Sequence, residues 1–209
     1  LGHEMRNALK GNNRFECIFT DVAELDICNA EAVKQTIADN HIDYIVNCAA
    51  YTQVDKAEDN AELCKKINTD AVENLARAAA DYGARMIHIS TDYVFNGRGY
   101  RPYTEDVVPD PQSVYGSTKL EGEKILTDIC PESIIIRTAW LYSPYGNNFV
   151  KTMLHLGEER EELSVVADQI GTPTCAADLA QAILVILQAD TFVPGTYHFS
   201  DEGACSWYD

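Results

Sequence analysis

The sequence predicts an α/β protein built on a doubly wound parallel sheet. Short apolar runs of strand length alternate with helical patterns of ten or more residues, and that alternation calls for right-handed βαβ crossovers with helices covering the sheet. Two turn-rich segments, Asn96 to Gln112 and Ser143 to Asn148, each follow a strand-like run. In open parallel sheets that is where ligands bind. A chain of 209 residues, 46% apolar and 23% charged, is also large enough to bury a core without covalent staples.

The elements follow in order. Glu4 to Leu9 reads as a short helix and Phe15 to Thr20 as the first strand. Asn29 is placed to cap a helix that begins at Ala30, because its side chain can accept an otherwise unpaired backbone N–H. Asp43 to Cys48 is a compact apolar strand. Ala61 to Tyr82 reads as one long helix, with Gly83 as its stop. Strands are expected at Arg85 to Ser90 and at Ser133 to Arg137. Helices are expected over Val114 to Asp128, Asn147 to Glu158 and Ala176 to Ala189.

Composition removes several function classes. Sixteen Lys and Arg against 33 Asp and Glu give a formal charge of -17, which argues against a partner contacted through its phosphate backbone, so no nucleic acid is expected. The densest apolar run, Ala182 to Leu187, is far short of the ~20 residues that span a bilayer, so no membrane is expected either. The seven cysteines (Cys17, Cys28, Cys48, Cys64, Cys130, Cys175 and Cys205) are scattered and include no C-x-x-C pair. Free thiols and a polar opening to the sequence predict a cytoplasmic protein. The five histidines are dispersed, no metal-ligand spacing occurs, and none of the predicted site residues is a metal ligand. His88 alternates within a strand and reads as a core residue rather than a catalyst. The Glu158 to Glu162 cluster reads as a solvated helix end.

Dinucleotide binding by such a sheet starts with a strand and a G-x-G-x-x-G turn, with an acidic residue about 20 positions further on. Only Leu1-Gly2 precedes the first helix here. Asp21 lies 19 positions after Gly2, just past the run Phe15 to Thr20. Gly2 is therefore read as the last glycine of a phosphate loop and Asp21 as the carboxylate at a strand end. A carboxylate there accepts from a ribose 2′-hydroxyl and repels a 2′-phosphate, which predicts that NADH serves at least as well as NADPH. On this reading the 209 residues are the interior of a longer chain, with the first strand, most of the glycine loop and a C-terminal segment outside them.

Tyr115 and Lys119 are four apart, on one helix face. An ammonium beside a phenol favours the phenolate and is expected to lower the tyrosine pKa from about 10. Such a tyrosine can give a proton to a carbonyl oxygen as hydride reaches its carbon. Ser90-Thr91-Asp92 closes the preceding strand and would turn a hydroxyl to the ligand crevice.

A strand-end hydroxyl followed by Tyr-x-x-x-Lys resembles the short-chain dehydrogenase/reductase superfamily in its extended, nucleotide-sugar branch, with a Rossmann-like fold. The runs Asn47 to Thr52, Val54 to Glu58, Ser90 to Phe95, Tyr115 to Leu120, Arg137 to Tyr142, Gly146 to Phe149, Asp168 to Thr174 and Ser206 to Tyr208 are similar to those of the dTDP-4-dehydrorhamnose reductase family. That resemblance implies reduction of the C4 keto group of dTDP-4-dehydro-L-rhamnose to dTDP-L-rhamnose for surface polysaccharide, with NADPH or NADH. It implies Tyr115 as proton donor, Lys119 on the nicotinamide ribose and Thr91 on the substrate carbonyl. Ala49, Ala50, Tyr51 and Thr52 would line the cofactor, and Asp26 and Ile27 would lie near the adenine. Asp92, Tyr93 and Trp140 would contact the sugar nucleotide. Without the resemblance, Trp140 reads as core and Asp92 as a turn cap.

The same resemblance brings Mg2+ at a subunit contact, for which no motif can be placed here, and admits a homodimer. Residues 1–142 and 172–190 are expected to form the dinucleotide-binding domain, and 143–171 and 191–209 the substrate-binding elements. Two alternatives share the triad. One is an epimerase or dehydratase of the same branch, which would keep its NAD bound without net consumption. The other is a non-catalytic regulatory subunit like that of methionine adenosyltransferase.

Overall fold

The structure is a computed structural model that describes residues 1–209. It divides into two compact units. The larger comprises Ile18–Arg137 and Val193–His198, and the smaller comprises Leu1–Cys17, Thr138–Phe192 and Phe199–Asp209. Residues 1–17, 138–142 and 172–190, expected with the dinucleotide-binding domain, cluster with 143–171, 191–192 and 199–209, while 193–198, expected with the substrate elements, cluster with the larger unit. The reason is local, since helix α1 (Gly2–Ala8) packs against helix α8 (Ala176–Gln188).

The larger unit carries a four-stranded sheet. Its strands β1 (Tyr44–Asn47), β2 (Arg85–Thr91), β3 (Ile134–Thr138) and β7 (Gly195–His198) lie side by side in that order. The pairs β1–β2 and β3–β7 are parallel, with Ile45 opposite Met86 and Arg137 opposite His198. Helices α2 (Ala30–Asp39), α5 (Ala71–Tyr82) and α6 (Val114–Ile129) press their apolar stripes together and onto the sheet. Val33, Val72, Ala76, Ala79, Met86 and Leu126 are all fully buried there. Each large side chain of this set contributes about 1.5–3 kcal/mol by leaving water.

The expected α/β pattern of strands and helices is present, including the Asn29 cap, whose side chain accepts from the Ala32 N–H at 3.1 Å. The run Phe15 to Thr20 departs from it: it is not a strand, because no neighbouring strand ladders with it. The run Ala61 to Tyr82 departs as well. It divides into α4 (Ala61–Lys65), a π-helical turn (Lys66–Asp70) and α5, which ends on left-handed Gly83. A short helix that the sequence did not announce, α3 (Val54–Asp59), precedes it.

The π turn sits where this segment touches α6. Thr69 Oγ1 donates to the Thr118 carbonyl at 2.9 Å, and the Asn68 carbonyl lies against the Cα of Gly122. A Cβ at residue 122 would collide with that backbone oxygen, so the contact requires glycine.

In the smaller unit, β4 (Leu141–Tyr142) pairs with β6 (Thr174–Cys175), and β5 (Ile170–Gly171) pairs with β8 (Cys205–Ser206). Helix α7 (Phe149–Glu159) is capped by Asn148, which accepts from the Lys151 N–H at 3.1 Å. Buried Glu4 accepts from Ser143 Oγ at 2.8 Å, tying α1 to the chain after β4. No helix is long and apolar enough to cross a membrane, and all seven cysteines are free thiols.

Gly122→Ala is expected to lower stability by roughly 1–3 kcal/mol through overpacking. Gly157→Ala in α7, where a Cβ meets nothing within 4 Å, should not. Urea midpoints of the two variants check this; equal midpoints would contradict the close approach.

Candidate active site

Thr91 closes β2, and Tyr115 opens the first turn of α6, whose N-cap Ser113 accepts from the Gly116 N–H at 3.1 Å. These two placements bring the Thr91 hydroxyl beside the Tyr115 phenol, where it favours the ionised form. Thr91 Oγ1 also donates to Asp92 Oδ1 at 3.1 Å and accepts from the Tyr93 N–H at 3.2 Å. The Tyr93 ring meets Tyr115 edge-on at 5.5 Å between centroids. Cys64 and Ala57 form a buried cluster with Tyr115.

Burial dominates the electrostatics. It pushes the Tyr115 phenol up to about 12, against the Thr91 hydrogen bond and with Asp92 adding to the rise. This reverses the expectation that Lys119 lowers it. Lys119 does share the helix face, but its ammonium turns to β2, where Nζ lies 2.7 Å from the Ile89 carbonyl and 3.2 Å from His88 Nε2. Only 1% exposed, Lys119 is itself brought down to about 8 by desolvation. Asp92 is raised to about 6, again by desolvation.

The loop after β1 is held by an amide. The Tyr51 N–H donates to Asn68 Oδ1 at 2.8 Å, and Asn68 Nδ2 donates back to the Tyr51 carbonyl at 3.1 Å. Asn68 belongs to the π turn, a distortion that recurs at functional sites. Ala49 is fixed through its N–H to Asn47 Oδ1 at 3.0 Å, and Ala50 and Thr52 lie in the same loop. Ile27 accepts from Asn74 Nδ2 at 3.1 Å, and Asp26 Oδ1 accepts from the Cys28 N–H at 2.9 Å.

Asp21 is exposed and heads a turn, with Oδ1 accepting from the Val22 N–H at 2.7 Å. Because Phe15 to Thr20 is not a strand, Asp21 does not close one, and the preference for NADH drawn from that position loses its premise.

Beneath the triad, Glu123 of α6 is buried against Arg137 of β3 at 2.7 Å and accepts from Ser90 Oγ at 2.5 Å. His88, Asn47, Asn68 and Glu123 were not singled out as functional from the sequence. His88 is fully buried, as expected of a core residue, but it also contacts Lys119. A periodicity argument could have found these pairs. His88 and Ser90 share one strand face, Lys119 and Glu123 share one helix face, and they meet two by two.

Gly2 and Trp140 belong to the smaller unit. Gly2 is the first residue of α1. Trp140 adopts φ +47°, an outlier for a bulky side chain, and stacks on Trp207 at 3.6 Å. A Cβ at residue 171 would come 2.5 Å from the Trp140 ring, so only glycine leaves room for the indole there. Phe149 packs on Trp207, whose Nε1 donates to Gln169.

The donor set suits a nicotinamide dinucleotide and a carbonyl substrate: a protonated phenol, a hydroxyl, a buried lysine and small alanines beyond a strand end. No group of three or more His, Cys, Asp and Glu side chains converges as a metal site would require.

A parallel α/β sheet carrying a strand-end threonine over a helix with Tyr and Lys one turn apart defines the class of short-chain reductases. Within that class, the profile of the RmlD substrate binding domain family matches residues 1–209, and the chain belongs to this family. It is 46% identical over 219 residues to the dTDP-4-dehydrorhamnose reductase of Escherichia coli K12, covering 100% of this chain and 72% of that one. A crystal structure of a dTDP-4-dehydrorhamnose reductase from Clostridium acetobutylicum superposes with a TM-score of 0.94 at 48% identity, over 99% of this chain and 72% of that one. The Bacillus anthracis enzyme, in complex with NADP, superposes with a TM-score of 0.91 at 43% identity, over 97% and 72%.

Because the Asp92 pKa is raised in the fold from 3.8 to about 6, its stabilising contribution is complete below about pH 4 and is lost as the pH rises through 6. Asp92→Asn should therefore gain stability relative to the parent protein between pH 4 and pH 7. Urea titrations at the two pH values check this, and a pH-independent difference would contradict it.

Proposed function

We propose that the chain reduces the C4 keto group of dTDP-4-dehydro-L-rhamnose to give dTDP-L-rhamnose, with NADPH or NADH, for surface polysaccharide synthesis. The observation that carries this reading is the buried Tyr115 phenol, kept protonated by desolvation, beside the strand-end hydroxyl of Thr91 and one helical turn before buried Lys119. A bound nicotinamide supplies the hydride. The work of the chain is to bind, to orient and to move one proton.

Thr91 holds the substrate carbonyl oxygen beside the phenol. Tyr115 gives its O–H proton to that oxygen as negative charge develops on it. An alkoxide is a far stronger base than a phenolate, so the transfer runs downhill even from a phenol near 12. Burial thus keeps the donor loaded at neutral pH. Lys119 holds the nicotinamide ribose, and the loop from Ala49 to Thr52, pinned by Asn68, lines the cofactor. Asp26 and Ile27 would line the adenine. Asp92, Tyr93 and Trp140 contact the sugar nucleotide. The free cysteines accord with action in a reducing cytoplasm.

Tyr115→Phe is expected to lower kcat roughly 10²–10⁴-fold, the usual worth of a positioned general acid. NADPH and NADH oxidation followed with and without the 4-keto sugar nucleotide checks this. An unchanged rate in the variant would overturn the role of Tyr115. Turnover of the sugar without net cofactor consumption would overturn the reductase reading itself.

A further inference from the structure

The hydrogen bonds beneath Lys119 have a direction, and it can be traced from one fixed end. The Ala49 backbone N–H can only donate, and it lies 3.0 Å from Asn47 Oδ1. That contact fixes the Asn47 amide, because flipping it would set two N–H groups against each other. Asn47 Nδ2 therefore faces His88 Nδ1 at 3.1 Å and donates to it. A neutral imidazole has one donor and one acceptor nitrogen. With Nδ1 accepting, the proton sits on Nε2, which points at Lys119 Nζ at 3.2 Å. An ammonium has no lone pair to receive it, whereas an amine has one. The remaining contact of Nζ is to the Ile89 carbonyl at 2.7 Å, which accepts.

We propose that His88 is a positioning residue for Lys119: set in its Nε2–H tautomer by Asn47, it donates to the Nζ lone pair and so stabilises the amine form of the lysine against the ammonium in the unliganded protein. The amine lone pair is then taken by His88 and one N–H by Ile89. A single N–H is left to point at a bound ligand, whereas an ammonium would offer more and fix none.

The surroundings agree. His88 is fully buried, and burial holds its pKa well below the ordinary value, so it is neutral. The charged and titratable neighbours of Lys119 are Glu123 and Tyr115 on its own helix, Cys64 on α4 and His88 on β2, with Asp92 facing Tyr115. Glu123 is the one carboxylate that favours the ammonium, and its oxygens are already engaged by Arg137 and Ser90. Desolvation outweighs it.

The functional meaning rests on the reductase reading, but the test does not. It uses 15N NMR of the histidine ring and of Lys119 Nζ in the intact protein without substrate or cofactor. Lys119 should titrate at about 8 or lower, and above that titration, where it is the amine, His88 should show an unprotonated Nδ1 and a protonated Nε2. Asn47→Asp keeps the acceptor for Ala49 but turns an acceptor towards His88 Nδ1. It should move the ring proton to Nδ1, free Nε2 to accept from an ammonium, and raise the Lys119 pKa by about one unit or more, a tenfold change in proton affinity. A parent protein with the Nδ1–H tautomer, or with Lys119 titrating at 10 or above, would overturn the proposal, and so would a folded Asn47→Asp protein in which neither group moves. Should Asn47→Asp not fold, the tautomer and the lysine titration of the parent protein decide alone. Absence of reductase activity leaves these spectra untouched.

Discussion

A lysine with no carboxylate of its own, buried between β2 and α6, is the constraint around which the larger unit is arranged. Removing a charged amine from water costs several kcal/mol unless a partner is supplied. The nearby carboxylate, Glu123, is committed to Arg137 and Ser90. Lys119 must therefore be satisfied by neutral groups, and the structure provides the Ile89 carbonyl and the His88 ring. Both come from β2, so the position of α6 on the sheet is set by polar contacts as much as by Leu126 and its apolar neighbours. The Glu123–Arg137 pair extends the same seam to β3, with the guanidinium also 5.2 Å from the Phe95 ring centre.

That seam places the reacting groups. With α6 locked to β2, its first turn brings Tyr115 to the end of the strand, where Thr91 awaits it. The π turn does the equivalent for the loop after β1. It brings Asn68 to the Tyr51 backbone and Thr69 to the Thr118 carbonyl, so one distortion serves both the loop and the helix that carries Tyr115 and Lys119. The close approach at Gly122 is the steric counterpart of these bonds.

Much of this was legible in the sequence. The apolar runs announced β1, β2 and β3, the capping residues Asn29 and Gly83 marked helix ends correctly, and the i, i+4 spacing put Tyr115 and Lys119 on one face. What the sequence hid was direction and partnership. Spacing shows that two side chains share a face but not which way each turns, and so the expected ammonium–phenol contact gave way to a lysine bonded to β2. Phe15 to Thr20 has a strand's composition, yet a strand exists only where another supplies its ladder bonds. The π turn was invisible because its cause is tertiary: Lys66 to Asp70 are ordinary helix formers or caps, and only contact with α6 and Tyr51 makes the wider turn worthwhile. The strain at Trp140 was equally hidden, since it depends on the Trp207 stack and on Gly171.

Burial keeps Tyr115 a phenol, rather than a phenolate made by a neighbouring cation. The 13Cζ chemical shift of Tyr115, followed by NMR against pH in the unliganded protein, tests that directly. The phenol should remain protonated through pH 10, consistent with a pKa pushed to about 12. Ionisation of Tyr115 near neutral pH would contradict the account.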